Sequence, residues 1–334
     1  SSVFFDELNI PQPNYILNVG SGNHGKQTAK MIEGIEEILV AEKPNAIVLY
    51  GDTNSTLAGA IAASKIHINV VHIEAGLRSF NKQMPEEVNR IMCDHVSTLL
   101  FTPTKTGFDN LIKEGFKTEN VAPYHIDNPK VYHSGDVMYD NSLHFMEIAN
   151  KKDTILSKHK LEKNNFILAT IHRNNNTDEP ERLSAIFEAL NELTEKYTID
   201  IVIPLHPRTQ SLLQKNLSEQ LYTKITNNSK IKIIEPTSFL EMIVLESNCK
   251  LVATDSGGVQ KEAFYFKKPC IIFRKETEWV EIVNCGAAIL VDANKDAVLN
   301  AYKNFESKKN QEYPQLFGDG KSAEFMCEEM LRYL

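Results

Sequence analysis

The chain alternates between short apolar runs rich in β-branched residues and longer segments in which apolar residues recur every three or four positions. The longer segments are clearest at 31–39 and 183–193, where the spacing gives each helix one apolar stripe. The short runs have the composition of strands buried in a parallel sheet. They occupy 46–50, 69–73, 98–102, 166–171, 199–204, 230–234, 251–254 and 269–273. This alternation predicts an α/β protein built on parallel sheets.

A charged segment at 149–165 interrupts the alternation before a new strand begins. It predicts two α/β halves, 1–150 and 151–318. Residues 1–28 hold a few amphipathic positions and a Gly/Ser/His loop, but no strand that could precede the run at 46–50. We therefore expect the N-terminal part of the first half to be missing.

The composition of the chain argues against nucleic acids and membranes as partners. The 334 residues are 42% hydrophobic and 24% charged, which is ordinary for a globular protein of about two domains. Asp and Glu number 44 against 36 Lys and Arg, a net charge of −8, so the broad basic surface needed by a nucleic-acid partner is not expected. No apolar run reaches the about 18 residues of a membrane span, and the chain does not open on a secretory leader. We expect a cytoplasmic protein that does not bind a membrane.

The cysteines indicate neither a disulfide framework nor a zinc site. They are odd in number, far apart and without a Cys-x-x-Cys pair. The five are Cys93, Cys249, Cys270, Cys285 and Cys327. We expect core or surface thiols and no metal.

In the first half, acidic residues follow the predicted strands. Asp52 comes just after the first strand and Glu74 directly after the second, while Glu86 and Glu87 open a helix. Ligands of open α/β sheets bind beyond the carboxyl ends of the strands, so these carboxylates are candidates for proton transfer. An alternative is that Asp52, Glu86 and Glu87 merely favour helix N-termini. Glu74 fits that alternative poorly, since Gly76 and Arg78 follow it.

In the second half, cations and small residues follow the strands. They are His172 and Arg173, His206 and Arg208, the turn of Ser256, Gly257 and Gly258, and Arg274. A Ser-Gly-Gly turn between a strand and a helix exposes N–H groups at the positive end of the helix dipole, which suits a phosphate. A purely structural turn is about as common. The nearby His206 and Arg208 favour a pyrophosphate site. A cleft between the two halves would then hold a phosphorylated substrate.

At these residues the chain resembles the non-hydrolysing UDP-N-acetylglucosamine 2-epimerase family. The stretches that carry the resemblance are 51–56, 72–78, 85–90, 135–138, 172–173, 204–209, 254–263, 277–279 and 317–320. The resemblance implies a glycosyltransferase-B-type fold of two Rossmann-like domains facing a cleft, with the last helix at 319–334 returning to the first domain. It also implies a homodimer and no metal or nicotinamide cofactor.

The resemblance further implies a reaction that inverts C2 of a UDP-2-acetamido sugar. Members of the family expel UDP, leaving a 2-acetamidoglucal, and add it back after protonation on the other face. Matching the family assigns catalytic roles to Asp52, Glu74 and Glu87, with His206 and Arg208 facing the diphosphate. The phosphates and ribose are assigned to Ser256, Gly257, Gly258 and Glu262. We also expect Arg78, Arg173 and Arg274 to contact the substrate.

Two features depart from the family pattern. Asn175 stands where the family usually has Glu. The family's first strand, its Gly-x-Arg-Pro turn and a second strand ending in Thr-Gly-Gln-His have no counterpart, so we expect the natural polypeptide to begin before Ser1.

Three other functions remain open at this point. The residues at 79–81 and 206–209 resemble a branch that epimerises a UDP-2,3-diacetamido uronic acid. A UDP-sugar-dependent glycosyltransferase of the same fold would use a similar phosphate site. A UDP-sugar-binding protein without turnover would need no catalytic carboxylates.

Overall fold

The computed structural model describes residues 8, 10–151, 154–205, 207–308 and 310–334. Its elements form two compact units. The first comprises the described residues up to Asp140 together with Gln315–Leu334, and the second is Asn141–Pro314. The division falls inside the helix Val137–Lys151, while the charged segment that predicted a boundary begins at the end of that helix. No helix among the described residues is both long and apolar enough to cross a membrane.

The first unit is a four-stranded parallel sheet with helices between its strands. In chain order its elements are α1 His24–Glu42, β1 Ala46–Tyr50, α2 Asn54–Lys65, β2 Asn69–Ile73, α3 Pro85–His95, β3 Leu99–Thr102, α4 Lys105–Lys113, β4 Lys130–His133 and the start of α5 Val137–Lys151. The strand order is β1-β2-β3-β4. The runs that predicted β1 and β2 are confirmed residue for residue. β4 was missed because polar residues stand at both of its ends and only Val131 is buried.

The C-terminal helix, Ser322–Tyr333, belongs to this first unit. Its Met326 packs into the apolar cluster around Val71 and Phe101, on strands β2 and β3. The motif at 317–320 lies against the motif at 135–138. Gly135 has a φ of +83°, and a Cβ there would lie 2.9 Å from the Phe317 carbonyl oxygen, so only glycine permits this approach.

The second unit is a six-stranded parallel sheet. Its elements are the rest of α5, α6 Ile155–Lys158, β5 Phe166–Thr170, α7 Asn174–Thr177, α8 Pro180–Tyr197, β6 Asp200–Pro204, α9 Pro207–Asn216, α10 Glu219–Thr226, β7 Ile231–Ile234, α11 Phe239–Asn248, β8 Leu251–Thr254, α12 Gly257–Tyr265, β9 Cys270–Ile272, α13 Val280–Asn284, β10 Ala288–Leu290 and α14 Lys295–Ser307. Sequence patterning missed β10, a strand of three residues. The last helix, Ser322–Tyr333 above, is α15.

The strand order of the second unit, β10-β9-β8-β5-β6-β7, is that of a doubly wound dinucleotide-binding fold. The chain reverses its direction of winding between β5 and β8, which pair with each other. Crevices at such a switch point are where open α/β sheets bind ligands. A large apolar core, including Phe187 on α8 and Phe273 after β9, holds this sheet and its helices together.

Candidate active site

The turn after β1 presents Asp52. Gly51 has a φ of +65° and its N–H donates to the carbonyl of Ile73. The Asp52 carbonyl accepts a hydrogen bond from Asn89 (2.8 Å), and its carboxylate pairs with Arg90 (2.5 Å) while remaining one-third exposed. Asp52 does not cap the following helix. That role belongs to Thr53, whose hydroxyl accepts from the N–H of Thr56.

Glu74 lies beside this turn in a strained conformation. Its φ of +75° lies in the left-handed region, which non-glycine residues seldom adopt at a cost of about 1–3 kcal/mol. Hydrogen bonds from the N–H groups of Glu74 and Ala75 to the Phe101 carbonyl hold it there. Its carboxylate approaches Gly51, where a Cβ would lie 3.3 Å from Glu74 Oε2. Asp52 and Glu74 are therefore carried on adjacent turns at the carboxyl ends of paired strands.

Glu87 is buried and fully engaged. Its carboxylate accepts from the N–H and hydroxyl of Ser79 (2.8 and 3.0 Å), from the N–H of Phe80 (2.9 Å) and from Arg90 (3.0 Å). Burial alone would raise the pKa of Glu87, but the hydrogen bonds from Ser79 and Arg90 outweigh it and the pKa is lowered. Glu87 thus anchors the loop at 79–81 and, through Arg90, shares a cation with Asp52.

Sequence reasoning missed Arg90 and Asn89. Both lie within the motif at 85–90, and Arg90 stands three residues after Glu87, the spacing that puts two side chains on one helix face. That spacing was the available signal. Arg90 is buried and bridges Asp52 and Glu87, while the Glu74 carboxylate lies beside Gly51, the residue before Asp52.

Arg78 is held inside the first unit by acidic partners. Its guanidinium pairs with both oxygens of Glu114 (2.7 Å each) and with Asp94 (2.8 Å), and donates to the Leu77 carbonyl. The side chain is buried. These contacts give Arg78 a structural role, and its substrate contact stays a prediction.

In the second unit, the switch point is organised by Asp255. This buried carboxylate accepts from the N–H groups of His172 and Arg173 (3.1 Å), from Asn176 Nδ2 (3.0 Å) and pairs with His172 Nδ1 (3.0 Å). Burial would raise the pKa of Asp255, but His172, Asn176 and the Arg173 N–H outweigh it and lower the pKa. Asp255 therefore fixes the turn that carries His172 and Arg173, a role that sequence reasoning did not assign. The side chain of Arg173 is partly exposed there.

The Ser-Gly-Gly turn begins α12, as predicted. Ser256 is the N-cap and accepts from the N–H of Val259. Because the first N–H groups of a helix lack intrahelical partners, the amides of Gly257 and Gly258 are donors for an anion. A Cβ at Gly257 would lie 3.3 Å from Glu278 Oε1, so side chains that follow β9 pack closely behind the turn.

Arg274 and Arg208, which were also predicted to bind the substrate, differ in how far they are buried. Arg274 is buried and pairs with Glu278 (2.9 Å) behind Gly257. Arg208 is half-exposed and pairs with Asp178 (2.9 Å) and with Asn174 (2.7 Å). His206 lies outside the described residues.

Glu262, one of the residues predicted to hold the phosphates and ribose, faces the fully buried Glu246. Burial and the neighbouring Glu262 raise the pKa of Glu246 well above its usual range, and burial raises that of Glu262. Asn175 is exposed, so the departure from the family pattern at that position leaves the Asp255 contacts intact. Within the residues described, no three His, Cys, Asp or Glu side chains gather to form a metal site.

The chain is similar to proteins of one known family. The sequence profile of the UDP-N-acetylglucosamine 2-epimerase family matches residues 1–331. A UDP-N-acetylglucosamine 2-epimerase homolog of Methanococcus maripaludis is 48% identical, over 96% of this chain and 85% of that protein. The UDP-2,3-diacetamido-2,3-dideoxy-D-glucuronate 2-epimerase of Pseudomonas aeruginosa is 45% identical, over 99% of this chain and 87% of that protein.

Solved structures confirm the predicted fold class. The crystal structure of the Methanocaldococcus jannaschii UDP-GlcNAc 2-epimerase in complex with UDP-GlcNAc and UDP has a TM-score of 0.84 and 42% identity, covering 99% of this chain and 88% of that one. A trehalose-phosphate synthase of Burkholderia xenovorans shares the fold alone, with a TM-score of 0.56 and 11% identity over 92% and 78% of the two chains. The chain belongs to the UDP-N-acetylglucosamine 2-epimerase family, an isomerase family acting on UDP-sugars.

Proposed function

We propose that the protein inverts C2 of UDP-N-acetylglucosamine, giving UDP-N-acetylmannosamine, by eliminating and re-adding UDP through a 2-acetamidoglucal. The observation that supports this most is that Asp52 and a strained Glu74 lie on adjacent turns at one edge of the sheet. Strained residues tend to occur where function requires them. A glycosyltransferase or a binding protein has no need for two carboxylates held in this way.

The chemistry assigns separate tasks to the two carboxylates. A C2 proton with no adjacent carbonyl is very weakly acidic, so a positioned base must remove it while the bond from C1 to UDP breaks. Inversion then requires that a proton return to the opposite face. We assign these transfers to Asp52 and Glu74, while Glu87, which is saturated with hydrogen bonds, positions Arg90 and the loop at 79–81.

The second unit would hold the leaving group. The N–H groups of Gly257 and Gly258 and the hydroxyl of Ser256 supply donors at the start of α12. Arg208 would add a charge-assisted contact to the diphosphate by turning from its present partners, Asp178 and Asn174. His206 retains its predicted place beside the diphosphate as part of the proposal, as do Arg173 and Glu262. We further propose a homodimer that needs no added cofactor.

Isotope exchange tests the reaction. Incubating the protein with UDP-N-acetylglucosamine in D₂O, with no other additive, is expected to give the epimer carrying deuterium at C2, together with traces of free UDP. The label is expected because a side-chain acid exchanges its proton with water between the two transfers. NMR spectra recorded over time follow both signals. Epimer without C2 deuterium would contradict the elimination mechanism.

A second substrate is supported by a specific similarity. The 45% identity to the Pseudomonas aeruginosa enzyme is close to the 48% identity to the homolog from Methanococcus maripaludis. The same assay with UDP-2,3-diacetamido-2,3-dideoxy-D-glucuronate separates the two sugars. Faster turnover of that sugar, by comparison of kcat/KM, would move the assignment to the diacetamido uronate.

Binding of the leaving group can be measured by itself. Replacing Arg208 with Ala is expected to raise the dissociation constant of UDP about 10-fold or more, since a charge-assisted hydrogen bond contributes roughly 1.5–3 kcal/mol. Calorimetric titration gives the constant. Lys224→Ala is the control, because Lys224 is an exposed cation of the same unit that pairs with Glu195. Equal affinities in the two variants would remove Arg208 from the diphosphate site.

A further inference from the structure

A buried polar network lies beneath the turn that carries Asp52. At its centre is His72, the fourth of the five residues of β2, whose side chain is completely buried. Its Nδ1 lies 2.6 Å from Asp94 Oδ1, and its Nε2 lies 2.8 Å from the Gly51 carbonyl oxygen. Asp94, on α3, is also completely buried. Neither the family resemblance nor the proposed mechanism gives His72 a role.

The contacts determine where the protons of His72 lie. A carbonyl oxygen can only accept, so Nε2 must carry a hydrogen. The other oxygen of Asp94 accepts from the N–H of Gly76 (3.1 Å) and from Arg78 (2.8 Å), and both donors favour the ionised carboxylate. An ionised carboxylate also accepts from Nδ1. The ring is therefore doubly protonated and positively charged.

The electrostatic environment agrees with this assignment. Burial by itself would lower the pKa of His72, but the charge and hydrogen bond of Asp94, with a smaller effect of Cys93, raise it well above the usual value. Burial by itself would raise the pKa of Asp94, but the larger effect of His72 and Arg78 lowers that pKa. The charged groups that face the ring are thus Asp94 directly and Arg78 behind it.

The second hydrogen bond of the His72 ring holds the turn after β1, which carries Asp52. Gly51 precedes Asp52, and its φ of +65° gives the turn its direction. The Gly51 N–H donates to Ile73, so β2 holds Gly51 by its N–H and, through His72, by its carbonyl oxygen. Asn89 holds the next carbonyl, that of Asp52. These contacts leave little freedom in the backbone that aims the Asp52 carboxylate.

We propose that His72 is a positioning residue, a buried imidazolium whose Nε2–H fixes the Gly51 carbonyl and thereby sets the direction of Asp52. The inference rests on the proposed function, in which Asp52 transfers a proton at C2. A misplacement of about 1 Å can cost a catalyst as much as 10²-fold in rate. Positioning of the turn is therefore a measurable part of the reaction.

Two variants of similar size separate positioning from packing. In His72→Asn the amide nitrogen falls near the place of Nδ1, so the bond to Asp94 is kept and the bond to Gly51 is lost. In His72→Gln the amide nitrogen falls near the place of Nε2, so the bond to Gly51 is kept. We expect His72→Asn to lower kcat about 10- to 100-fold, with KM and the dissociation constant of UDP within about twofold of wild type. We expect His72→Gln to recover most of the loss.

A spectroscopic readout tests the proposal without reference to turnover. With ¹⁵N-labelled histidine, both ring nitrogens of His72 are expected to give imidazolium signals with bonded hydrogens at pH 7. Asp94→Asn is expected to convert the ring to the neutral form. Hydrogen exchange of the amides at 51–53 is expected to be faster in His72→Asn than in His72→Gln, which measures the freedom of the turn directly.

The outcomes are distinguishable. A wild-type ring without a hydrogen on Nε2 at pH 7, or equal kcat and equal exchange in the Asn and Gln variants, would overturn the positioning role. If the wild type epimerised neither UDP-sugar, the proposed function would fail, while the ring signals and amide exchange would still decide whether His72 holds the turn. Thermal unfolding of each variant checks that a lost kcat does not come from a lost fold.

Discussion

Asp52→Asn and Glu74→Gln are each expected to lower kcat by at least about 10²-fold, the usual effect of losing a positioned acid or base, while the affinity for UDP stays nearly unchanged. Each substitution keeps the shape of the side chain and removes its ability to exchange a proton. The affinity should persist because the proposed phosphate donors, on α12, belong to the other unit. Steady-state kinetics and calorimetric titration with UDP give the two quantities.

Glu86→Gln provides the matched control for this pair. Glu86 is an exposed carboxylate on the first turn of α3, next to Glu87, so its loss changes the local charge without changing the cluster. It should turn over at close to the wild-type rate. Near wild-type turnover in both Asp52→Asn and Glu74→Gln would mean that the two carboxylates have no part in proton transfer.

Gly76→Ala is expected to destabilise the first unit by about 3 kcal/mol or more. Gly76 has a φ of +78°, and a Cβ there would lie 2.2 Å from the Gly107 carbonyl oxygen, which is rigid backbone. Overpacking a core costs typically 1–3 kcal/mol, and an L-residue held at positive φ adds to that. Because the Gly76 N–H also binds Asp94, movement to relieve the clash would disturb the hydrogen bonds of Asp94 and His72 beneath the turn that carries Asp52. Urea unfolding followed by circular dichroism measures the loss.

Gly115→Ala separates the effect of the steric clash from the effect of the positive φ. Gly115 belongs to the same unit and also has a positive φ, +101°, but a Cβ there has no atom within 4 Å. It therefore shares the backbone strain and lacks the clash, and should cost only about 1 kcal/mol. Equal losses in the two variants would show that the approach of Gly107 imposes no constraint on residue 76.

The periodicity of the sequence predicted most of the fold because most residues in the strands that it found are apolar. The runs at 46–50, 69–73 and 251–254 match β1, β2 and β8 residue for residue. β1 was found although only Leu49 of its five residues is buried, because all five are apolar. β4 escaped because polar residues stand at both of its ends, and β10 because it has only three residues.

The site was predictable where function depends on where a strand ends. Asp52 and Glu74 could be found because parallel strands carry their reactive residues at one edge, and the same rule found Ser256. The partners Arg90 and Asp255 could not be singled out, because their importance comes from contacts with residues far away in sequence. Arg78 illustrates the converse. Its place after a strand end predicted a ligand contact, and the sequence did not reveal that Asp94 and Glu114 hold its guanidinium.

The assignment of Gln315–Leu334 to the first unit bears on the order in which the chain can fold during synthesis. The second unit is one continuous segment, so all of its strands are present once Pro314 has left the ribosome. The first unit draws on segments before and after the second unit, since Met326 packs against β2 and β3. Its apolar sheet face can be covered by α15 only after the whole second unit has been made. The unit that carries Asp52 and Glu74 is therefore completed after the second unit, and until then its uncovered sheet is exposed to aggregation.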